Sequence, residues 1–519
     1  MKRQSPLLSA PMVVGSQVRK TGAAEAERSF RAAVFIAFAL TVVRLLWIAS
    51  GATDLYPDEA QYWLWSLTPD WGYYSKPPVV AWLIALTTHL AGNDNELSVR
   101  MAAPLLHFGT AVMIYQLAQR LYDARAAFWS SVVYATLPGV WVSAVIMSTD
   151  APLLFCWSVA LYAFVRAREP VGATGDGKRW WWLVGIASGF GLLSKYAMAY
   201  WMISALLFLL VYRDERRHLK RLAAAMVLAL LIYSPNFFWN WQHGFVSYHH
   251  TEANAALSGP LFHPDKFLAF FGSQFGVFGP VLFGALLLSA VLAHRTLKER
   301  REALLAFFAL PTLAMMLVVS FLSRAEPNWS APTYLSATVL VVAYLLAEWP
   351  RFLVWGSVAL YVFAAVAVAE AKPLTHLVGY DLPGKYDPLH RLKGWRQLGN
   401  TVDRMLAENP GAHLMTDDRE LEAALVYYVR PHPFESLKWN GAGGIHDQFD
   451  LTAQPERFIG QNFLLVSYRN NIDDIISRFA TSGPIEKITI FLGPSVKAGG
   501  EPLTRIYQLR LLGDFKGYR

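Results

Sequence analysis

The stretch ATDLYPDEAQYWLWSLTPDWGYYSKPPVVAWLIAL, residues 52–86, decides the class of fold that the sequence predicts. It is far too long and too aromatic to be a simple connector between two apolar runs. Pro57 predicts the start of an amphipathic helix that runs to residue 66, and Pro77-Pro78 the start of a second one that ends near residue 90. Tyr and Trp side chains follow both helices, as they do in helices that lie at lipid headgroups. The stretch therefore predicts a large loop resting on a membrane surface.

Apolar runs that can cross a bilayer surround this loop, a crossing taking roughly 20 residues. They lie near 32–51, 99–119, 127–147, 151–166, 181–195, 197–212, 221–239, 267–292, 303–322, 332–347 and 352–369. The sequence thus predicts a polytopic α-helical membrane protein with about eleven transmembrane helices.

Basic residues divide unevenly between the segments that join these runs. Segments 1–31, 120–126, 166–180, 213–221, 293–302 and 348–351 carry 22 Lys and Arg residues. The segments on the opposite side carry five, which are Lys76, Arg100, Lys195, Lys266 and Arg324. Because cytoplasmic loops are enriched in Lys and Arg, the N-terminus is predicted to be cytoplasmic. The loop over residues 52–98 and the C-terminal tail are then extracytoplasmic.

Charge also separates the chain into parts. Residues 1–369 hold 48 charged side chains and residues 370–519 hold 36, and the whole net charge of +8 belongs to the first part. A soluble domain is usually about 25% charged, which the tail matches and the first part does not. We predict a cytoplasmic tail over 1–30, a transmembrane catalytic domain over 31–369 and an extracytoplasmic domain over 370–519.

The same composition excludes several classes of protein. A wholly soluble enzyme and a disordered chain do not fit the apolar content of 54%, and one cysteine, Cys156, excludes a disulfide scaffold. The basic balance follows membrane topology, so no nucleic acid is needed to explain it. The partners expected from composition are membrane lipids.

The tail predicts a small α/β domain. Helices are predicted at 394–409 and 420–429, and strands at 413–415, 463–468, 485–492 and 506–512. The strands at 463–468 and 485–492 have the apolar character of buried strands, whereas 506–512 alternates like an edge strand.

Three carboxylates are predicted on the outer side, Asp58 and Glu59 in the first loop and Asp150 before the fourth crossing. Ionisable groups at a membrane are costly, which makes them candidates for function. Each also has a structural interpretation. Acidic residues in a first helical turn complement the helix dipole, and Asp150, with Pro152 just inside, fits the N-cap of the next helix.

Three cations share that side, Lys76, Lys195 and Arg324. Lys76 also fits a side chain that reaches the phosphates of bulk lipid, whereas Lys195 lies at the turn of a tight apolar hairpin. Candidate substrate-binding side chains are Tyr74, His243, His249 and Asn328. His243, His249 and His250 are also candidate metal ligands, but loop histidines are more often only solvated, and we assign no metal to the site.

Carboxylates and cations from separate segments at one membrane surface suit transfer of a sugar from a lipid-linked phosphate. Cations hold the phosphate and take up charge as its bond breaks. One carboxylate accepts the proton of the acceptor hydroxyl. A phosphate leaves without protonation, so a glycosidase's paired acid and base are not required, and a single displacement would invert the anomeric centre.

The motifs at these positions resemble family 39 glycosyltransferases. Asp58-Glu59, Ser75-Lys76-Pro77-Pro78, Thr149-Asp150-Ala151-Pro152 and Leu193-Ser194-Lys195 carry the resemblance, which covers roughly residues 31–350. The family comprises polytopic GT-C enzymes, among them protein O-mannosyltransferases and the aminoarabinose transferase that acts on lipid A. The resemblance implies that Asp58 is the base, that Lys76 and Lys195 contact the donor phosphate, and that Asp150 is the second acidic site.

Two departures from the family pattern narrow the prediction. The lipid A transferases carry Glu before the Lys-Pro-Pro motif, where it helps to bind a structural metal, and this chain has Ser75. Binding of such a metal is therefore not favoured here, so no cofactor is assigned and a divalent metal is left as an alternative. The chain has no room for the β-trefoil insertion of the mannosyltransferases, and its tail resembles the extracytoplasmic domain of the bacterial lipid-modifying members.

The function predicted is an inverting glycosyltransferase of the bacterial inner membrane. It moves a hexosyl or pentosyl group from a polyprenyl-phosphate donor to a lipid or cell-envelope glycan acceptor on the outer side. Asp58, Glu59 and Asp150 form the catalytic set, and Lys76, Lys195 and Arg324 bind the donor phosphate. The alternatives are a protein O-glycosyltransferase of the same fold and a transporter or flippase for a lipid-linked sugar.

Overall fold

The computed structural model describes residues 22–169, 177–255, 262–496 and 500–518, and most of the predicted cytoplasmic tail lies outside these ranges. The chain divides into two compact units. Unit 1 comprises Met1–Leu46, Lys76–Val80 and Arg100–Ala365, and unit 2 comprises Trp47–Ser75, Ala81–Val99 and Val366–Arg519. Most of the first outer loop therefore belongs to the same unit as the tail.

Unit 1 is built from helices that follow the apolar runs of the sequence. They are Ala23–Ala49, Ala102–Leu121, Ala124–Thr136, Pro138–Val145, Asp150–Ala167, Gly177–Ser194, Met198–Val211, Leu219–Gln242, Val246–Ala255, Pro264–Val277, Pro280–Val291, Ala293–Thr296, Arg300–Leu322, Thr333–Glu348 and Phe352–Ala369. Two 3₁₀ helices join them, at Arg213–His218 and Pro327–Ser330.

Many apolar side chains of unit 1 point outward, as expected of helices in a bilayer. Phe35 is 71% exposed and Phe363 is 69% exposed, and such side chains would be unfavourable in water. The interior is aromatic. Phe164, Trp201 and Phe308 come from three helices, and their ring centroids lie 5.2 to 5.8 Å apart.

Within the described ranges, six helices are long and apolar enough to cross a membrane, or up to eight if each bent pair is one span. The fold is therefore polytopic and α-helical, as predicted, while the count of about eleven crossings stays a prediction. The run 267–292, taken as one crossing, consists of Pro264–Val277 and Pro280–Val291, which meet at 118°. The run therefore consists of two helices with a bend between them, and its assignment as one crossing stays a prediction.

The residues between these two helices explain the bend. Gly279 has a φ of +88°, which favours glycine, and Pro280 has no N–H with which to continue the preceding helix. A Cβ at Gly279 would collide with the Tyr361 ring, whose hydroxyl donates to the Phe278 carbonyl at 3.1 Å.

Unit 2 combines short helices with a sheet. Its helices are Pro57–Ser66, Val79–Ala91 (whose first two residues belong to unit 1), Glu96–Arg100, Ala371–Leu377, Trp395–Glu408, Arg419–Tyr428, Gln448–Thr452 and Asp473–Ile476, and its 3₁₀ helices are Gly384–Tyr386, His390–Leu392 and Pro455–Phe458. The strands are β1 (Ala412–Thr416), β2 (Leu437–Lys438), β3 (Asn462–Ser467), β4 (Phe479–Ser482), β5 (Glu486–Gly493) and β6 (Leu503–Phe515).

The sheet has the order β2-β1-β3-β6-β4, with β5 also paired to β6. β1 runs parallel to β2 and β3, and β6 runs antiparallel to β3, β4 and β5. The predicted α/β tail is confirmed, with helices and strands close to the expected positions. Two details are wrong. The strand predicted at an edge, β6, is internal because its length lets it pair with three strands, and β5, predicted to be buried, leaves Phe491 58% exposed.

Both helices predicted in the first outer loop are present, but two of their tryptophans do not face lipid. Trp63 is 1% exposed and Trp65 is 3% exposed. Helix Arg419–Tyr428 packs on helix Pro57–Ser66, and the Trp63 ring lies 5.0 Å from that of Tyr427. The interpretation of Trp63 and Trp65 as headgroup anchors is therefore wrong, because Trp63 packs on the tail and Trp65 stacks on Tyr73 of the same loop.

Candidate active site

Asp58, the predicted base, lies in the first turn of helix Pro57–Ser66 in unit 2. Its Oδ1 accepts a hydrogen bond of 2.8 Å from Nη1 of Arg419, and the same nitrogen donates to Gln61 Oε1 at 2.5 Å. The Asp58 side chain is 39% exposed, so the carboxylate is held in place and still reachable. A charge-assisted bond of this kind orients the carboxylate.

Arg419 is a site residue that the sequence analysis missed. It is the first residue of a helix whose N-cap is Asp418, and nothing in that local sequence points to the first outer loop. Although burial opposes the charged form, the neighbouring Asp58 carboxylate raises the pKa of Arg419. The guanidinium therefore stays charged beside Asp58.

Glu59 has a different environment from its neighbour. It is fully buried, and its Oε2 accepts the backbone N–H of Tyr56 at 2.9 Å, which caps the start of the helix. The carboxylate of Glu59 therefore holds the helix start that presents Asp58.

Asp150 and Lys195, both in unit 1, form an ion pair. Lys195 Nζ lies 2.6 Å from Asp150 Oδ1, and the amide of Asn328 donates to Asp150 Oδ2 at 2.6 Å. The three residues come from the start of helix Asp150–Ala167, the end of helix Gly177–Ser194 and the 3₁₀ helix Pro327–Ser330. The structure thus brings together three of the predicted site residues from three segments.

The interpretation of Asp150 as a helix N-cap is wrong. The N-cap is Thr149, which makes no side-chain cap bond, and both carboxylate oxygens of Asp150 are bound to Lys195 and Asn328. The side chain of Asp150 is 7% exposed and that of Lys195 is 21% exposed. A buried carboxylate needs such a partner, whereas the partly exposed ammonium can still meet a ligand.

Lys76 lies in unit 1 and is partly exposed, ahead of the buried Pro77 and Pro78. Arg324 is 61% exposed and lies 3.6 Å from Glu326. The prediction that Asp58, Lys76 and Lys195 share one pocket stays a prediction, as does phosphate binding by Arg324.

The remaining candidates are placed as follows. His243 stacks on Trp239 with centroids 4.0 Å apart, and its Nδ1 lies 2.8 Å from the carbonyl of that residue. His249 is largely exposed and lies 3.7 Å from Glu252. The backbone N–H of Tyr74 donates to Gln448 Oε1 at 2.7 Å, and burial raises the pKa of its hydroxyl.

The residues present do not fit the structural metal of the lipid A transferases. Ser75 stands at the position where the resemblance implies a metal-binding Glu. Among the described residues, no group of three or more His, Cys, Asp and Glu side chains is arranged to hold a metal ion. Metal sites of this kind need several such donors at one point, so no step of the chemistry is assigned to a metal.

Comparisons with known proteins show which chains this one resembles. Residues 75–239 match the family described as dolichyl-phosphate-mannose-protein mannosyltransferase. The lipid A galacturonosyltransferase RgtD of Rhizobium johnstonii is 30% identical over 441 residues, which cover 84% of this chain and 88% of that protein. An undecaprenyl phosphate-α-4-amino-4-deoxy-L-arabinose arabinosyl transferase of Pseudomonas fluorescens is 27% identical over 322 residues, which cover 57% of this chain and 53% of that protein.

A solved structure has the same fold. The crystal structure of ArnT from Cupriavidus metallidurans bound to undecaprenyl phosphate matches with a TM-score of 0.61 and 17% identity, covering 92% of this chain and 97% of that one. The match to RgtD spans a larger share of this chain than residues 1–369 make up, so it extends into the tail.

Proposed function

The chain belongs to family 39 of the GT-C glycosyltransferases, and on that premise we propose that it transfers galacturonic acid from a polyprenyl phosphate to a lipopolysaccharide acceptor. The observation that carries this proposal is the similarity to RgtD, which includes both the apolar helices and the tail. The similarity to the aminoarabinose transferase of Pseudomonas fluorescens covers about half of each chain, which favours the uronic acid over the amino sugar.

The reaction is a single displacement at the anomeric carbon. The acceptor oxygen forms a bond to the anomeric carbon. At the same time, the bond between that carbon and the phosphate oxygen breaks. Polyprenyl phosphate leaves with the electron pair, and the acceptor proton passes to Asp58. The sugar is therefore transferred with inversion.

The cations act on the leaving group. Lys195 and Lys76 neutralise the phosphate in the ground state and take up the charge that develops on it. Asp150 holds Lys195 through the 2.6 Å contact, and Asn328 orients Asp150. Arg419 orients the base through its 2.8 Å bond to Asp58.

The proposed reaction takes place on the outer side of the bacterial inner membrane. The N-terminus is cytoplasmic and unit 2 is extracytoplasmic, which is supported by the 22 basic residues on one side against five on the other. An acceptor at the outer surface then meets the loop that carries Asp58.

The experiment compares lipopolysaccharide from a deletion strain and from strains that express the wild-type chain or variants. Mass spectrometry should find a galacturonosyl unit in the wild type and not in the deletion strain. Asp58→Asn, which keeps the size of the side chain, should lose the modification, whereas Asp381→Asn, at an exposed carboxylate of the tail, should keep it.

Three results would contradict parts of the proposal. An aminoarabinose unit on the same acceptor would refute galacturonic acid as the transferred sugar. Sugar on exported proteins instead of lipopolysaccharide would refute lipopolysaccharide as the acceptor. Wild-type transfer rates in correctly folded Asp58→Asn protein would remove Asp58 from its role as base.

A further inference from the structure

A groove of about 780 Å³ lies entirely within unit 2. The end of helix Pro57–Ser66 and the loop after it form one wall, and tail residues 434–438 and 448–461 form most of the other. The volume is in the range of small-molecule sites. Of the described residues that line it, none is one of the candidate catalytic or phosphate-binding residues.

The polar lining of the groove is rich in amides and hydroxyls. Thr452, Gln454 and Gln461 are exposed along the tail wall, and Ser436 lies on the same wall. Amides and hydroxyls can both donate and accept hydrogen bonds. Sugar hydroxyl groups have the same two abilities, so this lining matches a polyhydroxylated ligand.

An aromatic ring stands at the groove. Phe434 is 57% exposed, although its ring is supported by His432, at 5.3 Å between centroids, and by Trp63, at 6.3 Å. The ring is thus fixed in position and keeps a face open. An open aromatic face beside amides suits the C–H face of a pyranose, which is apolar while its rim is polar.

Carboxyl groups outnumber cations in and beside the groove. Lys438 lies 2.8 Å from Asp447 and 2.8 Å from Asp450, and its side chain is 9% exposed, so it is not available to an anion. The exposed Glu435 and Arg457 carry opposite charges. An excess of carboxyl groups over cations disfavours a phosphate, so an uncharged ligand matches the groove better.

Glu422 adds a buried carboxyl to the lining. It accepts a hydrogen bond of 2.8 Å from Thr416 and another from Ser436, and burial raises its pKa to about 7. A carboxyl with a perturbed pKa in a cleft is typical of a functional site.

We propose that this groove binds uncharged sugar residues of the acceptor glycan, with a pyranose against Phe434 and its hydroxyls bonded to Gln454 and Gln461. This inference rests on the proposed function, which requires a glycan acceptor. It assigns the tail a role in acceptor recognition and leaves the chemistry to Asp58 and the lysines.

The test uses the full-length protein in detergent. The probe is the oligosaccharide of lipopolysaccharide after deacylation and dephosphorylation, observed by saturation-transfer NMR. The double variant Phe434→Ala/Gln454→Ala should lose the transfer signal and raise the KM for acceptor about tenfold, the effect of losing one ring contact and one hydrogen bond. Its kcat and its KM for donor should stay unchanged.

A matched control is Phe491→Ala, because Phe491 is 58% exposed in the same unit and lies outside the groove. This variant should bind the probe as the wild type does. Unchanged probe binding and acceptor KM in the double variant would overturn the groove assignment. Displacement of the probe by inorganic phosphate or by free galacturonate would refute the proposal that the groove binds an uncharged ligand.

The outcome also separates this inference from the proposed function. If the wild type binds the probe through Phe434 and modifies no lipopolysaccharide, the groove stands and the proposed function fails. If the wild type modifies lipopolysaccharide and Phe434→Ala/Gln454→Ala does so with an unchanged acceptor KM, the function stands and the groove assignment fails.

Discussion

Replacing Lys195 by methionine should destabilise the protein and weaken donor binding, and the two effects can be separated. The substitution keeps an unbranched side chain, one atom shorter, and removes its charge. Asp150, with a side chain that is 7% exposed, would then keep the amide of Asn328 and lose its cation. An unpaired buried carboxylate is the costly state.

The magnitude follows from the burial of the two partners. Removing one partner of a fully buried pair costs about 3–5 kcal/mol. Because the side chain of Lys195 is 21% exposed, water can replace part of its contribution, and we expect the lower end, about 3 kcal/mol. The double variant Lys195→Met/Asp150→Asn removes both charges and should recover most of this loss.

The assay is thermal unfolding in detergent together with binding of undecaprenyl phosphate. Lys195→Met should unfold on the order of 5 °C below the wild type, and the double variant should return most of the way. Neither variant should bind undecaprenyl phosphate at wild-type strength, since both lack the cation. Lys220→Met, at an exposed lysine, is the control and should match the wild type in both measurements.

A double variant no more stable than Lys195→Met would refute the reasoning about the buried charge. Wild-type affinity for undecaprenyl phosphate in the double variant would refute the phosphate role of Lys195 and leave the ion pair as a structural feature.

Three further predictions concern other parts of the molecule. Arg419→Ala should lower kcat about tenfold, because Asp58 would be misplaced, and should leave the KM for donor unchanged. Arg419→Lys should restore the kcat. A normal kcat in Arg419→Ala would contradict this prediction. Gly279→Ala should lower the unfolding temperature, because the φ of Gly279 is +88° and an added Cβ would meet the Tyr361 ring. The control Gly284→Ala should not lower it, because no atom lies within 4 Å of a Cβ added there. Equal effects of the two substitutions would exclude the collision and the positive φ as the cause. Burial raises the pKa of Glu422 to about 7, so the folded state binds more protons than the unfolded state between about pH 4.5 and 7. The free energy of unfolding should fall by up to about 3 kcal/mol as pH rises across that window. Glu422→Gln should make this fall smaller, as measured by hydrogen exchange of residues 419–428. An unchanged dependence of stability on pH in Glu422→Gln would count against the prediction.

Much of the fold could be predicted because it depends on local patterns. Apolar runs became helices, and the spacing at 394–409 became helix Trp395–Glu408. Bends and sheet order could not be predicted in the same way. The break at Gly279 depends on a tyrosine about 80 positions away, and the internal position of β6 depends on pairing with three strands.

The candidate site was likewise predictable only where it depends on local patterns. Local motifs identified Asp58, Asp150 and Lys195 as unusual for their positions at a membrane. The partner of Asp58 could not be found from its neighbours, because Arg419 lies 361 residues further along the chain. The N-cap interpretation of Asp150 failed for a related reason, since its oxygens are bound by side chains 45 and 178 positions away.

The sequence by itself determined that this chain is a polytopic membrane protein with an α/β tail and with charged residues in the loop after its first apolar run. Hydrophobic periodicity and charge balance act over a few residues and are readable without the fold. Only the tertiary structure decided which charges meet, because an ion pair or a groove depends on distances between segments that are remote in the chain. Burial then makes those distances matter, since a carboxylate out of water keeps its charge only beside a partner.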